Sequence, residues 1–357
     1  MGKGGPILSL TIAPFQAADY AQFCALACES PDTGLIHFIA EHVVPPDEAD
    51  KALSVEAQIF VAWSDGEPVG AADVIFGNVQ YEGEPRPAAL LGSLMGGLMV
   101  HPRYRRRGVA SALAAHRVTV ARERLGPGAV VLADIQQGNI GSLRTAAKWC
   151  NAQSRPFVTT ATRVGASAPA DGPFSVRPAT SEDLAEILDG LQEFYAAANF
   201  YRPQDSTTLR QWIAEAGTSP PRAYFVATEA HGRIVAGLGI THLYRYLAHR
   251  VVNLPFWMRA LDFIFHEMPD GGLLREADVG LVFHRPGDIA AAHQLWDAAR
   301  GGLAGEANSL LFSFDPQGPL GPLASRLWRR AGGVRLQAAL LADKPPDPAR
   351  PLAPWVL

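Results

Sequence analysis

Val100-His-Pro-Arg-Tyr-Arg-Arg-Arg-Gly-Val-Ala-Ser-Ala-Leu113 decides how this chain is read. The apolar residues from Leu94 to Val100 read as a strand, the arginine-rich segment as a turn, and the run after Gly108 as a helix. A helix start presents N–H groups with no partner inside the helix, and the macrodipole adds partial positive charge there. Phosphate or pyrophosphate seats readily at such a place. Gly108 lets a ligand come close to the backbone, and Ala110 keeps the first turn thin. Arg105, Arg106 and Arg107 add guanidinium groups that grip phosphate through paired hydrogen bonds. Three arginines in a row are, taken alone, as well explained by a solvated turn. The order strand, Arg-x-x-Gly-x-Ala, apolar helix favours the anion seat. The segment is neither a Gly-x-x-x-x-Gly-Lys loop nor a Gly-x-Gly-x-x-Gly turn.

The pattern Val100-x-Pro102-x-Tyr104-Arg105-Arg106-Arg107-Gly108-Val109-Ala110 resembles the acyl-CoA signature of the GNAT superfamily of N-acyltransferases, Arg/Gln-x-x-Gly-x-Gly/Ala. The resemblance implies that the amides of Arg106 through Ala110 hold the pyrophosphate of coenzyme A. It implies too that Leu98, Met99 and Val100 lie on a strand that splays from its neighbour and binds the pantetheine and acyl carbonyl. Val130-Val-Leu-Ala-Asp134-Ile135 then reads as the next parallel strand. Asn139-Ile-Gly-Ser142-Leu-Arg-Thr-Ala146-Ala-Lys148-Trp149 is similar to the family's following helix, with Asn139 on the asparagine that contacts the pantetheine arm and Ser142 in its first turn. The implied co-substrate is acetyl-CoA.

Two customary residues are missing. The stretch Leu91-Gly-Ser93-Leu-Met95-Gly96-Gly97-Leu-Met-Val100 carries no carboxylate, where relatives often place a glutamate that takes the amine proton. Ala146 stands where relatives carry a thiol-protonating tyrosine. Asp134 is the nearest substitute, with helix capping or loop orientation as its structural alternative. His37 and Glu41, spaced i,i+4, would make an oriented pair if their segment is helical. A partly exposed polar helix face explains them as well. Asp73 and Ser93 are further candidates, and His116 reads as a packed helix residue.

With 357 residues, the chain is long for one compact domain. A hydrophobic content of 48% with 18% charged residues is that of an ordinary globular protein. The formal charge of −4 offers no general attraction to nucleic acid. Met1-Gly-Lys-Gly-Gly-Pro lacks the apolar core of a signal peptide, no apolar run is long enough to span a bilayer, and a cytoplasmic location is expected. Three cysteines, Cys24, Cys28 and Cys150, cannot all pair and offer too few ligands for a metal site, so no metal is expected.

The chain also repeats itself. Thr11-Ile-Ala-Pro14 through Asp19 lines up with Ser175-Val-Arg-Pro178 through Asp183. The hairpin Phe60-Val-Ala-Trp-Ser-Asp-Gly66 lines up with Phe225-Val-Ala-Thr-Glu-Ala-His-Gly232. The expected architecture is α/β, with two tandem GNAT-like domains, each a mixed, mostly antiparallel sheet flanked by helices with a splayed pair of parallel strands. The first would cover 1–164 and bind acyl-CoA; a linker of small residues and proline covers 165–173. The second, 174–343, would be degenerate, because Asp288 replaces Arg106 and Ala290 replaces Gly108 in its copy of the signature. An aspartate at that helix start fills the anion-favouring position with its own charge. A proline-rich tail, 344–357, follows and is expected to dock. The aromatic-rich stretch Tyr244 to Glu267 has a shorter counterpart in the first half. It could wall an acceptor pocket, although gluing the two halves together is the commoner use of such residues.

The functional expectation is an N-acetyltransferase moving the acetyl group of acetyl-CoA onto an amine of a small molecule. Small acceptors are preferred to protein tails because no acidic stretch is evident, although scattered carboxylates can converge in space. The alternatives are a non-catalytic acyl-CoA-binding protein, or an acyltransferase for longer chains if Met95, Gly96 and Gly97 leave a channel.

Overall fold

Asp65 and Gly66 both adopt positive φ (53° and 81°), the backbone state that a two-residue hairpin loop favours. They join the two longest apolar strands of the first half, around which the rest is laid. The computed structural model describes residues 9–32, 36–92, 97–165, 172–213, 221–265, 268–328 and 333–354. The first half runs β1 (Thr11–Pro14), α1 (Tyr20–Glu29), β2 (His37–His42), α2 (Pro46–Ala52), β3 (Ala57–Ser64), β4 (Glu67–Tyr81), β5 (Glu84–Leu90) and β6 (Leu98–Val100). It continues through α3 (Val109–Leu125), β7 (Val130–Gln136), α4 (Ile140–Ala146), β8 (Ala152–Gln153) and β9 (Phe157–Arg163). The second half opens with β10 (Ser175–Pro178), α5 (Leu184–Tyr195), α6 (Ser206–Arg210), β11 (Arg222–Thr228), β12 (Ile234–Thr241) and β13 (Leu247–Asn253). It closes with α7 (Phe256–Phe265), β14 (Leu273–Leu274), β15 (Glu276–His284), α8 (Ile289–Gly302), β16 (Ser309–Phe314), α9 (Gly321–Trp328) and β17 (Gly333–Leu341).

These strands make one mixed sheet rather than two. Its order is β1-β3-β4-β5-β7-β17-β9-β16-β15-β12-β11-β10, with β6 also on β4 and β8 on β17. Among the described residues two of its pairs are parallel, β5 with β7 and β15 with β16. The last strand, β17, returns to the first half and inserts between β7 and β9, while β9 crosses to pair with β16. Residues 166–171 of the expected linker, and Trp355 to Leu357 of the tail, lie outside the described residues. The tail is held as far as Pro354: the Tyr81 hydroxyl donates to the Lys344 carbonyl at 2.6 Å, and Leu352 and Ala353 are buried.

Helices cover both faces. Leu113 and Ala121 of α3 pack on Phe60, Val74, Phe76 and Val131. Ile75, Val79, Leu132, Phe157 and Leu340 form a cluster on the opposite face, joined by Leu247. Trp296 of α8 packs with Leu238, Val279, Phe312 and Leu323 in the second half.

One expected element is different. His37 to Glu41 is strand β2, not helix, and pairs antiparallel with β13 to build a small second sheet, β14-β13-β2. The β-branched and aromatic content of His37-Phe-Ile-Ala-Glu-His42 suits a pleated surface, and a partner strand from the second half overrides helical spacing. The expected strand start at Leu94 falls on residues 93–96, outside the described residues; the strand is seen from Leu98.

Leu340 is fully buried in a cluster that belongs mainly to the first half. Leu340→Ala is therefore expected to cost about 2–5 kcal/mol in denaturant unfolding, and to do so in a single transition reporting on both halves. A loss below about 1 kcal/mol, or one confined to second-half probes, would contradict this intertwined core.

Candidate active site

Strands β5 and β7 run parallel from Ala88/Val130 to Leu90/Leu132, and then part. Strand β6 stays with β4 through Gly70, Ala71 and Ala72, while β7 stays with β17 as far as Gln136. The gap opens into a cavity of about 1390 Å³ that passes through the sheet. Gly70 allows a close approach on the β6 side, since a Cβ there would lie 2.9 Å from both the Met99 carbonyl and Val109 Cγ1. β4 thus lies tight against β6 and α3.

At one end of the cavity sits the arginine turn. Arg106 and Gly108 have φ of +63° and +92°, and both are exposed. Gly108 caps α3, and a Cβ built on it meets nothing within 4 Å, so the space beside the helix start is open. Leu98, Met99, Val100, Arg105, Arg106, Gly108, Val109 and Ala110 all line the cavity. Arg107 does not; its guanidinium lies over the Tyr104 ring at 5.7 Å. Arg105 is engaged by the protein itself, its guanidinium donating to the Val100 and Pro31 carbonyls at 3.2 and 2.9 Å. It braces the turn against the segment after α1.

Asn139 and Ser142 also face the cavity. The Asn139 carbonyl oxygen accepts from the Ser142 amide at 3.1 Å and caps α4, while its Nδ2 donates to Asp32 at 3.0 Å. The asparagine thus fixes the helix and ties it to the loop before β2. Gln136, which the sequence reading passed over, accepts from the Ile36 amide at 3.3 Å. Its signal was present: it lies two residues after Asp134 and so on the same strand face.

Asp134 lines the cavity on β7. Val131 and Ala133 pack toward α3 while Val130 and Leu132 pack the other way, so alternation turns Asp134 away from α3. Its side chain is partly exposed to the cavity, and desolvation by the protein around it pushes the pKa up to about 7. A carboxyl titrating there can both hold and release a proton near neutral pH.

The other two candidates lie elsewhere. Phe38 and Ala40 of β2 line the cavity, so alternation puts His37 and Glu41 on the opposite face. Glu41 is paired with Arg250, whose Nη2 donates to it at 3.2 Å, and the pair clips β2 to β13. Burial against Phe23 holds His42 neutral, with its pKa lowered to about 4. Asp73 is buried beneath α3, its carbonyl accepting from Arg117, and His116 packs edge-on against Phe60. Ser93, Met95 and Gly96 lie outside the described residues.

The second half supplies much of the far wall. His249 and Val251 of β13 and Leu254, Trp257 and Met258 at α7 line the cavity, as do Glu276, Asp278, Ser309 and Leu311. The aromatic-rich stretch therefore both joins the halves and walls the cavity. None of Arg285 to Ala292, the second copy of the signature, lines it. Among the described residues no group of three or more His, Cys, Asp or Glu could hold a metal ion. Nor is any described helix long and apolar enough to cross a membrane.

Residues 25–151 match the acetyltransferase (GNAT) family. No curated protein matches the chain. The structure is similar to N-myristoyltransferase of Saccharomyces cerevisiae with bound myristoyl-CoA, at 10% identity and a TM-score of 0.62, covering all of this chain and 88% of that one. A second structure of the same enzyme gives a TM-score of 0.63 at 10% identity, with 92% of that chain covered. A GCN5-related N-acetyltransferase from Kribbella flavida follows at 14% identity and 0.51, covering 94% and 72% of the two chains. The fold is that of the GNAT acyltransferases.

Burial at Asp134 has a thermodynamic consequence. Its folded pKa lies above the unfolded value, so its stabilising share is complete below about pH 4 and is lost as pH rises through about 7. Asp134→Asn should therefore stabilise the protein more at pH 8 than at pH 5. The expected difference in denaturant unfolding is about 1 kcal/mol or more, after discounting for cavity water. Equal effects at both pH values would show an ordinary solvated carboxylate.

Proposed function

We propose that the protein transfers an acyl group from a coenzyme A thioester to an amine, and that the acyl chain is longer than acetyl. The observation that carries this is a single cavity joining the open helix start at Gly108, through the β6/β7 gap, to an apolar chamber on the other face of the sheet. Pyrophosphate would sit on the amides from Arg106 to Ala110, with Arg106 beside it. Pantetheine would take the place of a missing strand between β6 and β7. Arg144 and Lys148 line the same end and add positive charge for the nucleotide.

Phe157, Leu311, Val334 and Leu336 supply apolar wall beyond the gap. A two-carbon acyl group needs little of that space, whereas each methylene buried there contributes roughly 0.8 kcal/mol. The myristoyl-CoA named for the yeast structures points the same way. Acetyl transfer to a small amine is the second reading, favoured by the match of residues 25–151 to an acetyltransferase family. A protein that binds acyl-CoA without turning it over is the third, and rests on the alanine at 146.

In the proposed reaction Asp134, directly or through water, takes a proton from the acceptor ammonium. That first proton passes from the carboxyl to solvent; the neutral nitrogen then attacks the thioester carbonyl and the C–N bond forms. Asp134 takes the second N–H proton, the C–S bond breaks, and the thiolate leaves with that second proton. A base titrating near 7 suits that exchange. We assign the second half the acceptor wall and no coenzyme of its own, since Asp288 occupies the start of α8.

The test is thiol release from acyl-CoAs of two to sixteen carbons across a panel of amines. Medium or long chains should exceed acetyl-CoA in kcat/KM by at least about tenfold, about 1.4 kcal/mol. Asp134→Asn should lower kcat by about 100-fold or more at pH 7 with coenzyme affinity unchanged. Preference for acetyl-CoA would return the acetyl reading; tight coenzyme binding with no release on any amine would leave the binding protein.

A further inference from the structure

Across the sheet from Asp134 the cavity wall carries a polar patch that acyl transfer itself does not use. Glu276 and Asp278 occupy alternate positions of β15, so both project to one face, and both line the cavity. They are 5% and 4% exposed. Ser309 of β16 lies directly opposite Glu276 in the parallel ladder and lines the same wall. Its hydroxyl is buried with no hydrogen-bond partner, although the residue is only 5% exposed. A buried hydroxyl left unpaired costs roughly 1–3 kcal/mol, and a ligand atom would satisfy it. His249 reaches over from β13 and hydrogen-bonds Glu276 through Nδ1 at 2.6 Å, its ring edge-on to Phe38.

The patch brings carboxyl and basic side chains together. Asp262 of α7 also lines this part of the cavity and accepts from the Met268 amide at 2.7 Å. The basic side chains near it are His249, Arg163 at the exposed end of β9, opposite Ser309, and Arg222 on β11, whose charge acts on Asp278. Burial and the neighbouring Glu276 push the Asp278 carboxyl up to about 8. A bound cation would favour its charged form. The nucleotide end of the cavity is lined instead by Arg105, Arg106, Arg144 and Lys148.

We propose that Glu276, Asp278 and Ser309 form a subsite for a positively charged group of the acceptor, remote from the amine that reacts. This rests on the reading of the protein as an N-acyltransferase. β7 and β15 lie four strands apart in the sheet, roughly 19 Å at the usual strand spacing. The acceptor class is accordingly an extended oligocation with an amine at one end and a second ammonium or guanidinium group well along its length. Its second charge would be held by carboxylate oxygens and by the Ser309 hydroxyl.

Spermine and n-dodecylamine serve as probes, the second having one amine and an uncharged tail. In Glu276→Gln/Asp278→Asn the KM for spermine should rise at least about tenfold, with kcat, coenzyme affinity and the KM for dodecylamine unchanged. Ser309→Ala, which removes one hydroxyl and spares the His249 contact, should raise the spermine KM about threefold. Titration calorimetry of spermine into the full chain saturated with coenzyme A reads the same subsite without turnover. Heat that disappears in the double variant supports the subsite even if no amine is acylated, so the two readings fail separately. A spermine KM and affinity unchanged in both folded variants, or an equal loss for dodecylamine, would overturn the proposal.

Discussion

The parting of β6 from β7 is the constraint on which the rest depends. β5 and β7 pair in parallel as far as Leu90 and Leu132; beyond that point β6 stays with β4 on one side and β7 with β17 on the other. Beyond Leu132, β7 has a strand partner on one side only among the described residues. Peptide groups facing the gap need a hydrogen-bonding partner from water or ligand. A ligand with its own amide groups meets that need as another strand would. The arginine turn lies at the mouth of this opening, and the Asp134 carboxyl beyond it.

That opening is maintained by residues far apart in the chain. β17, the last strand, must return to the first half to hold β7, and β9 must cross to the second. The small sheet of β2 and β13, with its Glu41–Arg250 clip, closes the far side of the cavity. The two ends of the cavity are thus built from different halves of one sheet, lined by Arg105, Arg106, Arg144 and Lys148 at the first and by Glu276 and Asp278 at the second.

The end of the cavity at Gly108 was legible in the sequence because its chemistry is local. A strand, a turn with Gly108, and a helix start follow one another within Val100 to Leu113, and the resemblance to known acyltransferases rests on those neighbours. The opposite end of the cavity was not legible, because it is made by ladder register between distant strands: no spacing in the sequence places Ser309 beside Glu276, or His249 against Glu276. His37 and Glu41 show the converse error. Their i,i+4 interval suits a helix, yet residues four apart also share a strand face, and the partner strand β13 decides between the two. The repeat pointed to two similar halves, while the exchange of β9 and β17 that fuses their sheets left no mark in composition or period.

The most direct measurement is a crystal structure of the protein grown with saturating coenzyme A. The account predicts pyrophosphate density on the amides from Arg106 to Ala110 and the pantetheine arm threading between β6 and β7, with its thiol on the Asp134 side of the sheet. Density for the nucleotide at the start of α8, or none at either helix start under saturation, would contradict it.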